Sequence, residues 1–300
     1  MKKLFTGIFI TLFLLAVSMD AWAAMVGAVM PTRHIPFYDT VHKTLEQELG
    51  ALGTGAEVLL QKPSPDELAW KNATRKLVTL EAKVIVAYGS ATTLAVLSES
   101  GAIPVVYVGA YDPAGSGLTG KATGMSGTVP LKGLIGNLKK ISNFKKLGIL
   151  YSPGEVDSVK QMDAAADLAG KLGAQAVKID SSGMGDSIDL QGADAIFLTS
   201  AANINSKAKL PTIIETARGG KIATASVLSG SCELGVIISL SADPVDQGKG
   251  AAKMVADILN GGSPAANNTP KVEMTINLKE AKALGLNIPF ELLGTAKVIK

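Results

Sequence analysis

Side chains able to do covalent or metal chemistry are few in this chain. His34 and His42 are the only histidines and Cys232 the only cysteine among 300 residues. No cluster of metal-ligand spacing accompanies either histidine, so a zinc centre has no support. No G-x-S-x-G elbow or Walker loop occurs, which leaves nucleophilic and phosphoryl chemistry without a carrier. In "GAYDPAGSGLTG", Gly115, Gly117 and Gly120 have the G-x-G-x-x-G spacing, and they read as turn residues. Cys232, in "SGSCELG", reads as a buried inert thiol unless a histidine approaches it. The sequence thus predicts no catalytic residue, no metal and no cofactor.

The remaining polar residues suit holding a molecule rather than breaking one. They gather in six short segments: "PTRHIPFY" (31–38), "YGSATT" (88–93), "GAYDPAGSG" (109–117), "YSPGEVDS" (151–158), "TSAAN" (199–203) and "SVLSGSCE" (226–233). Tyr38, Tyr88, Tyr111 and Tyr151 each offer a flat apolar face and one hydrogen-bonding tip. Ser90 reads as a helix N-cap, followed by Ala91, Thr92 and free amides that suit a carboxylate or another polar anion. Ser152 and Glu155 repeat that geometry, with Glu155 able to pair with an amine or simply favour a helix start. Thr199, Ser200 and Asn203 offer only neutral hydrogen-bonding groups, and Ser226 is the corresponding residue after the next strand. Arg33 and His34, in a loop with Phe37, could meet an acidic head group or simply be solvated.

Each segment follows an apolar run, and this explains the clustering. The runs "MVGAVM" (25–30), "AEVLLQ" (56–61), "KVIVAYG" (83–89) and "PVVYVG" (104–109) form one series. "KLGILY" (146–151), "AQAVKI" (174–179), "ADAIFL" (193–198), "KIATAS" (221–226) and "LGVIIS" (234–239) form a second. Such runs predict parallel strands buried on both faces. Helical segments lie between them: 65–82 and 243–262 begin with Pro and acids, and 158–172 carries apolar residues at three- and four-residue steps. "INSKAKLPTIIETA" also looks helical. Only "SSGMGDSIDLQG" separates two strands of the second series, which predicts a shortened or irregular helix there. Alternating strand and helix predict an α/β fold of two Rossmann-like lobes, each a parallel sheet flanked by helices. Ligands in such sheets sit beyond the carboxyl ends of strands, where all six segments fall.

Bulk composition limits the partners. Hydrophobic residues make up 47% and charged residues 18%, enough for a large core. The net charge of +3 is spread without a basic block, which argues against nucleic acid. Lys2 and Lys3, the run "LFTGIFITLFLLAV" and "AWAA" at 21–24 have the order of a secretory signal peptide, 1–23, cleaved after Ala23. With one cysteine in the chain and none directly following that site, neither a disulfide nor a lipid anchor is expected, and the periplasm fits best.

The stretches "VIVAYGSATTLAV", "DPAGSGLTGKATGMSG", "KLGILYSPGEVDSV", "INLKEAKALGLNIP" and "LLGTAKVI" resemble the ABC-transporter substrate-binding proteins of the tryptophan/tyrosine-binding type, in that family's order. The resemblance implies a type I periplasmic-binding-protein fold with a three-crossing hinge. Its lobes would be 24–126 plus about 240–268, and 127–239 plus about 269–300. It carries over Ser90, Thr92, Asp112, Ser126, Glu155 and Ser158 as ligand-binding positions, with Ser126 at the first crossing. It implies a small organic ligand in the cleft, such as an aromatic amino acid or a related aromatic or acidic solute. A monomer that docks transiently on an inner-membrane ABC permease is expected. This chain departs where relatives commonly read Pro-Thr-Asp-Asn and here Thr199-Ser200-Ala201-Ala202 stands. A second-lobe acid for a ligand ammonium is then missing. Either Glu155 or Asp112 replaces it, or the ligand has no cationic group. The rival readings are an exported α/β enzyme, with His34 or His42 as base, and a sensor-type binding protein without a transporter.

Overall fold

A computed structural model describes residues 24–185 and 188–300; segment 1–23, where a signal peptide is expected, lies outside the described residues. The first sheet is built from β1 (Met25–Val29), β2 (Glu57–Gln61), β3 (Val84–Tyr88), β4 (Val105–Ala110) and β5 (Thr123–Ser126). All neighbours are parallel in the order β2-β1-β3-β4-β5, with Val26 opposite Val84. Helices α1 (Pro36–Ala51), α2 (Glu67–Thr79) and α3 (Ser90–Glu99) connect these strands. The central strands β1 and β3 are buried almost throughout, as continuous Val/Ile/Ala runs require. Val29, Ile85 and Ala87 face α2 and α3 through Trp70, Leu77 and Val96, while Val26, Val84 and Val86 face α1 through Val41 and Leu45.

The second sheet has seven strands: β6 (Lys146–Tyr151), β7 (Gln175–Asp180), β8 (Ala195–Leu198), β9 (Ala223–Ser226), β10 (Ile238–Ala242), β11 (Val272–Asn277) and β12 (Lys297–Ile299). Their order is β12-β11-β10-β9-β8-β6-β7. All pairs are parallel except β10 with β11, so this sheet is mixed at one side. Helices α4 (Leu131–Ser142), α5 (Val156–Lys171), α6 (Ala202–Asn205), α7 (Leu210–Gly219), α9 (Leu278–Ala283) and α10 (Phe290–Leu293) belong to this half. The remaining helix, α8 (Pro244–Leu259), packs against α1 and the first sheet, although β10 and β11 on either side of it pair in the second. The chain therefore passes between the sheets three times: after Ser126, at Asp243, and between Leu259 and Val272.

These crossings are fastened to one another. The Ser126 N–H donates to the Asn267 carbonyl at 2.8 Å, and the Asp243 N–H donates to that of Lys271 at 2.8 Å. Gln247, fully buried on α8, donates to the Ser126 carbonyl (2.8 Å) and accepts from the Gly109 N–H (3.0 Å). One amide thus ties the end of β4 to the first crossing.

Several expected elements differ in detail. The run 234–239 is not a strand along its length. Cys232–Leu234 is a 3₁₀ turn, Gly235 follows at φ 116°, and pairing starts only at Ile238. Apolar character there marks burial, not the strand's place. The helix expected across "INSKAKLPTIIETA" is broken into α6 and α7, with Pro211 in the first turn of α7 where its missing N–H is harmless. Phe37 and Tyr38, expected in a loop, lie in the first turn of α1 behind Pro36. Between β7 and β8 the described residues, 181–185 and 188–192, contain turns and no helix.

Candidate functional site

The two sheets point their carboxyl ends at each other, and the loops beyond them enclose a small cavity. It is lined by Pro31, Tyr38, Tyr88, Gly89, Ser90, Ala91, Thr92, Glu155, Asp157 and Ser200, with an empty volume of about 240 Å³. Only about 10 Å³ of that admits the centre of a water molecule, room for about one water. The lobes are closed on each other.

Local sequence explains the geometry. β3 runs into α3 through the single residue Gly89, held at φ 79°. A side chain there would be strained, and its Cβ would sit 3.0 Å from the Tyr38 hydroxyl oxygen. This turn thrusts the first residues of α3 into the cavity. From the opposite lobe, the turn after β6 delivers Glu155 and Asp157 at the start of α5. The Ser90 N–H donates to Asp157 Oδ2 at 3.0 Å across the cleft. Asp157 Oδ1, Ser90 Oγ and Thr92 Oγ1 are buried, and none has a hydrogen-bond partner. Glu155 accepts from the Ala202 N–H with both carboxylate oxygens, at 2.9 and 3.2 Å.

Burial dominates the electrostatics. Desolvation pushes the Glu155 carboxyl up to about 7 despite the Ala202 N–H, and it raises Asp157 as well. The Tyr38 phenol is pushed upward by burial and then by the two acids. Tyr38 meets Phe37 and Tyr88 edge to face, with centroids 5.1 and 5.6 Å apart. Behind them the buried His42 places Nδ1 2.8 Å from the Tyr88 hydroxyl and Nε2 3.4 Å from Glu46. Desolvation lowers its pKa, against the opposing pull of Glu46. Trp70, from α2, donates its indole N–H to the Pro31 carbonyl at 2.8 Å.

Of the residues singled out from the sequence, Tyr38, Ser90, Ala91, Thr92, Glu155 and Ser200 meet at this cavity. Phe37 backs Tyr38, and Tyr111 is half-buried near Asp157. Others serve the frame. The Ser152 N–H donates to Ser158 Oγ, which bonds Thr199 Oγ1 at 2.7 Å. Asn203 is tied to Ser181, and Ser226 Oγ accepts from the Leu228 N–H. Ser126 bonds Thr128 at the first crossing. Asp112 is not a free counter-ion, since Lys160 of the opposite lobe binds it at 2.6 Å and holds its carboxyl below the usual range.

Arg33 and His34 lie outside the cavity, in a separate groove with Gln61 and Lys62, because the loop turns outward at His34, φ 57°. A further acid that the sequence does not single out, Asp157, lines the cleft; at a helix start such a residue reads as capping. Cys232 is buried against Ser239 and the Thr275 carbonyl, and desolvation pushes its thiol up to about 12. It is expected to resist Ellman's reagent in the folded protein and to react fully in guanidinium. Rapid labelling of the native chain would contradict this burial.

Two α/β lobes joined by three crossings around an internal cavity define the type I periplasmic-binding-protein fold. Residues 60–300 match the family described as ABC transporter substrate binding protein, and the chain belongs to that family. A "Tyrosine-binding protein" of Clostridioides difficile is 22% identical over 263 residues, 81% of this chain and 75% of that one. Among solved structures, a Streptococcus pneumonia ABC domain in complex with L-Trp superposes with a TM-score of 0.85 at 23% identity, covering 93% of this chain and 100% of the other. A conserved domain protein from Vibrio cholerae gives 0.83 at 24% identity, with the same coverage. The ligand-free, open structure of a Clostridium difficile substrate binding protein with adhesive properties gives 0.64 at 21%, covering 93% and 99%. The family is one of substrate-binding proteins. Among the described residues no helix is long and apolar enough to cross a membrane.

Proposed function

We propose that this chain is the periplasmic solute-binding component of an ABC importer, that it performs no catalysis, and that it encloses one small organic molecule between its lobes. The observation that carries this reading is the trio of unpartnered buried oxygens: Ser90 Oγ, Thr92 Oγ1 and Asp157 Oδ1. Buried polar atoms ordinarily have partners, and here all three line one cavity that a solute would complete. The edge-to-face wall of Tyr38 and Tyr88 favours an aromatic or otherwise partly apolar body. With room for about one water, the lobes must part to admit a solute.

The moving units are 24–126 plus about 243–268, and 127–242 plus about 269–300, because β10 belongs to the second sheet, and they rotate about the crossings. Closure brings together the Ser90–Asp157 and Lys160–Asp112 bonds and the Lys207 N–H bond to the His34 carbonyl at 2.9 Å. A higher TM-score with an L-Trp complex than with an open, ligand-free structure accords with a closed state. The charged start and apolar run of 1–23 support export to the periplasm, where a monomer would dock transiently on its permease. The test is a thermal-shift screen of the purified chain against aromatic amino acids, amines, organic acids and sugars. A solute at a hundred times its Kd adds about 2.7 kcal/mol of stability. That is a rise in Tm of roughly 5–10 °C. No shift with any class would contradict solute binding.

A further inference from the structure

Resting on the reading of the cleft as a solute site, the charge inventory of the cavity goes one step further. We infer that the solute is an organic cation that carries no carboxylate, with its ammonium held by Asp157.

Among the described residues that line the cavity, the only charged side chains are Glu155 and Asp157, and none is Lys, Arg or His. The nearby cations are engaged or distant. Lys160 is bound to Asp112 at 2.6 Å, and Arg33 opens into another groove. At the start of α3, the natural seat for a solute's carboxylate, the Ser90 N–H already donates to Asp157 Oδ2, which places an acid beside the Ala91 and Thr92 amides. A carboxylate arriving there would meet the Asp157 carboxylate in a nearly dry site, with no counter-charge to offset the repulsion.

A primary ammonium meets the opposite situation. It presents three N–H donors, and the cavity offers three buried oxygens without partners: Asp157 Oδ1, Ser90 Oγ and Thr92 Oγ1. Such a hydrogen bond to an ionised acceptor is among the stronger ones. Glu155 adds negative charge beside it while its own oxygens stay on the Ala202 N–H. The Tyr38 and Tyr88 rings supply faces that attract a cation or pack on an apolar body.

Isothermal titration of the full chain at pH 7.5 tests the inference with three bodies, each bearing three head groups. The series are tyramine, L-tyrosine and 4-hydroxyphenylacetate; tryptamine, L-tryptophan and indole-3-acetate; and isoamylamine, L-leucine and 4-methylvalerate. In at least one series the amine is expected to bind ten-fold or more tighter than its amino acid, with the acid not binding. Asp157→Asn should weaken the amine at least ten-fold and narrow its advantage over the amino acid. Its melting curve would verify folding, and Ser90→Ala, which keeps both carboxylates, should weaken the amine only a few-fold. An amino acid or acid that binds tighter than its amine overturns the cation assignment and leaves the solute-binding reading standing. Binding by none of the nine overturns the cation assignment, and only silence across the wider thermal-shift screen would also remove the solute-binding reading.

Discussion

Raising the pH from about 4.5 to about 7 is expected to destabilise the solute-free closed protein by about 3 kcal/mol through Glu155 alone. Its carboxyl sits at about 7 in the closed structure against an ordinary 4.5, and a tenfold change in proton affinity is worth about 1.36 kcal/mol. In that window the folded state binds more protons than the unfolded one, so stability falls with rising pH. Below about 4.5 both states are protonated, and above about 7 both are ionised, so the contribution is flat at either end. Asp157, raised by the same desolvation, acts in the same direction. Urea unfolding at half-unit steps from pH 4.5 to 8 measures the slope, and Glu155→Gln should flatten it. A profile identical in wild type and variant would refute the assignment. Opening of the lobes also relieves the penalty, because water then reaches the carboxylate. Small-angle scattering should therefore show a larger radius of gyration at pH 8 than at pH 5.5 in the absence of solute.

The second large effect concerns stability at the seam between α1 and α8. Gly248, on α8, faces α1 so closely that a Cβ would stand 2.6 Å from the Val41 carbonyl oxygen and 3.1 Å from the Leu45 nitrogen. Both are backbone atoms of a buried helix and cannot swing aside. Alanine would gain up to about 1 kcal/mol of helix propensity, yet it must push two packed helices apart, an overpacking cost of about 1–3 kcal/mol. Gly248→Ala is expected to lower stability by about 1–2 kcal/mol, and Gly248→Val by more. Gly136, inside α4, has nothing within 4 Å of the same position. Gly136→Ala should therefore stabilise by about 0.5–1 kcal/mol. Denaturation midpoints moving in opposite directions would verify the distinction, whereas a shared direction would refute it.

The difference between these glycines is invisible in the sequence, where both sit in amphipathic helices. The legible parts were those governed by one dominant force. The buried runs of β1, β3, β4, β6 and β8 announce themselves because a strand covered on both faces has no room for polar residues. β5, only Thr123–Ser126, was hidden in a glycine-rich stretch because Gly124 and Gly127 serve close backbone approaches to Tyr107 and Gly109. β11 lacks a continuous apolar run, since Glu273, Thr275 and Asn277 interrupt Val272, Met274 and Ile276, and its segment is read only for its likeness to relatives.

At the site, Ser90, Thr92 and Glu155 were legible as helix starts after strands. Asp157 was not, since its meaning depends on α3 arriving from sixty-seven residues away. The neutral turn at 199–203 was read as the wall that lost its acid. In the structure it supplies the Ala202 N–H that holds Glu155, so its lack of charge serves the acid beside it.

The three crossings have a consequence for how the molecule is made. The first lobe lacks one of its packing helices until α8, Pro244–Leu259, has been synthesised, and the second sheet lacks β11 and β12 until residue 299. Neither lobe is a continuous stretch that can close its core as it leaves the ribosome. Contacts of such long sequence separation form slowly. Each core is therefore complete only once most of the chain has been made.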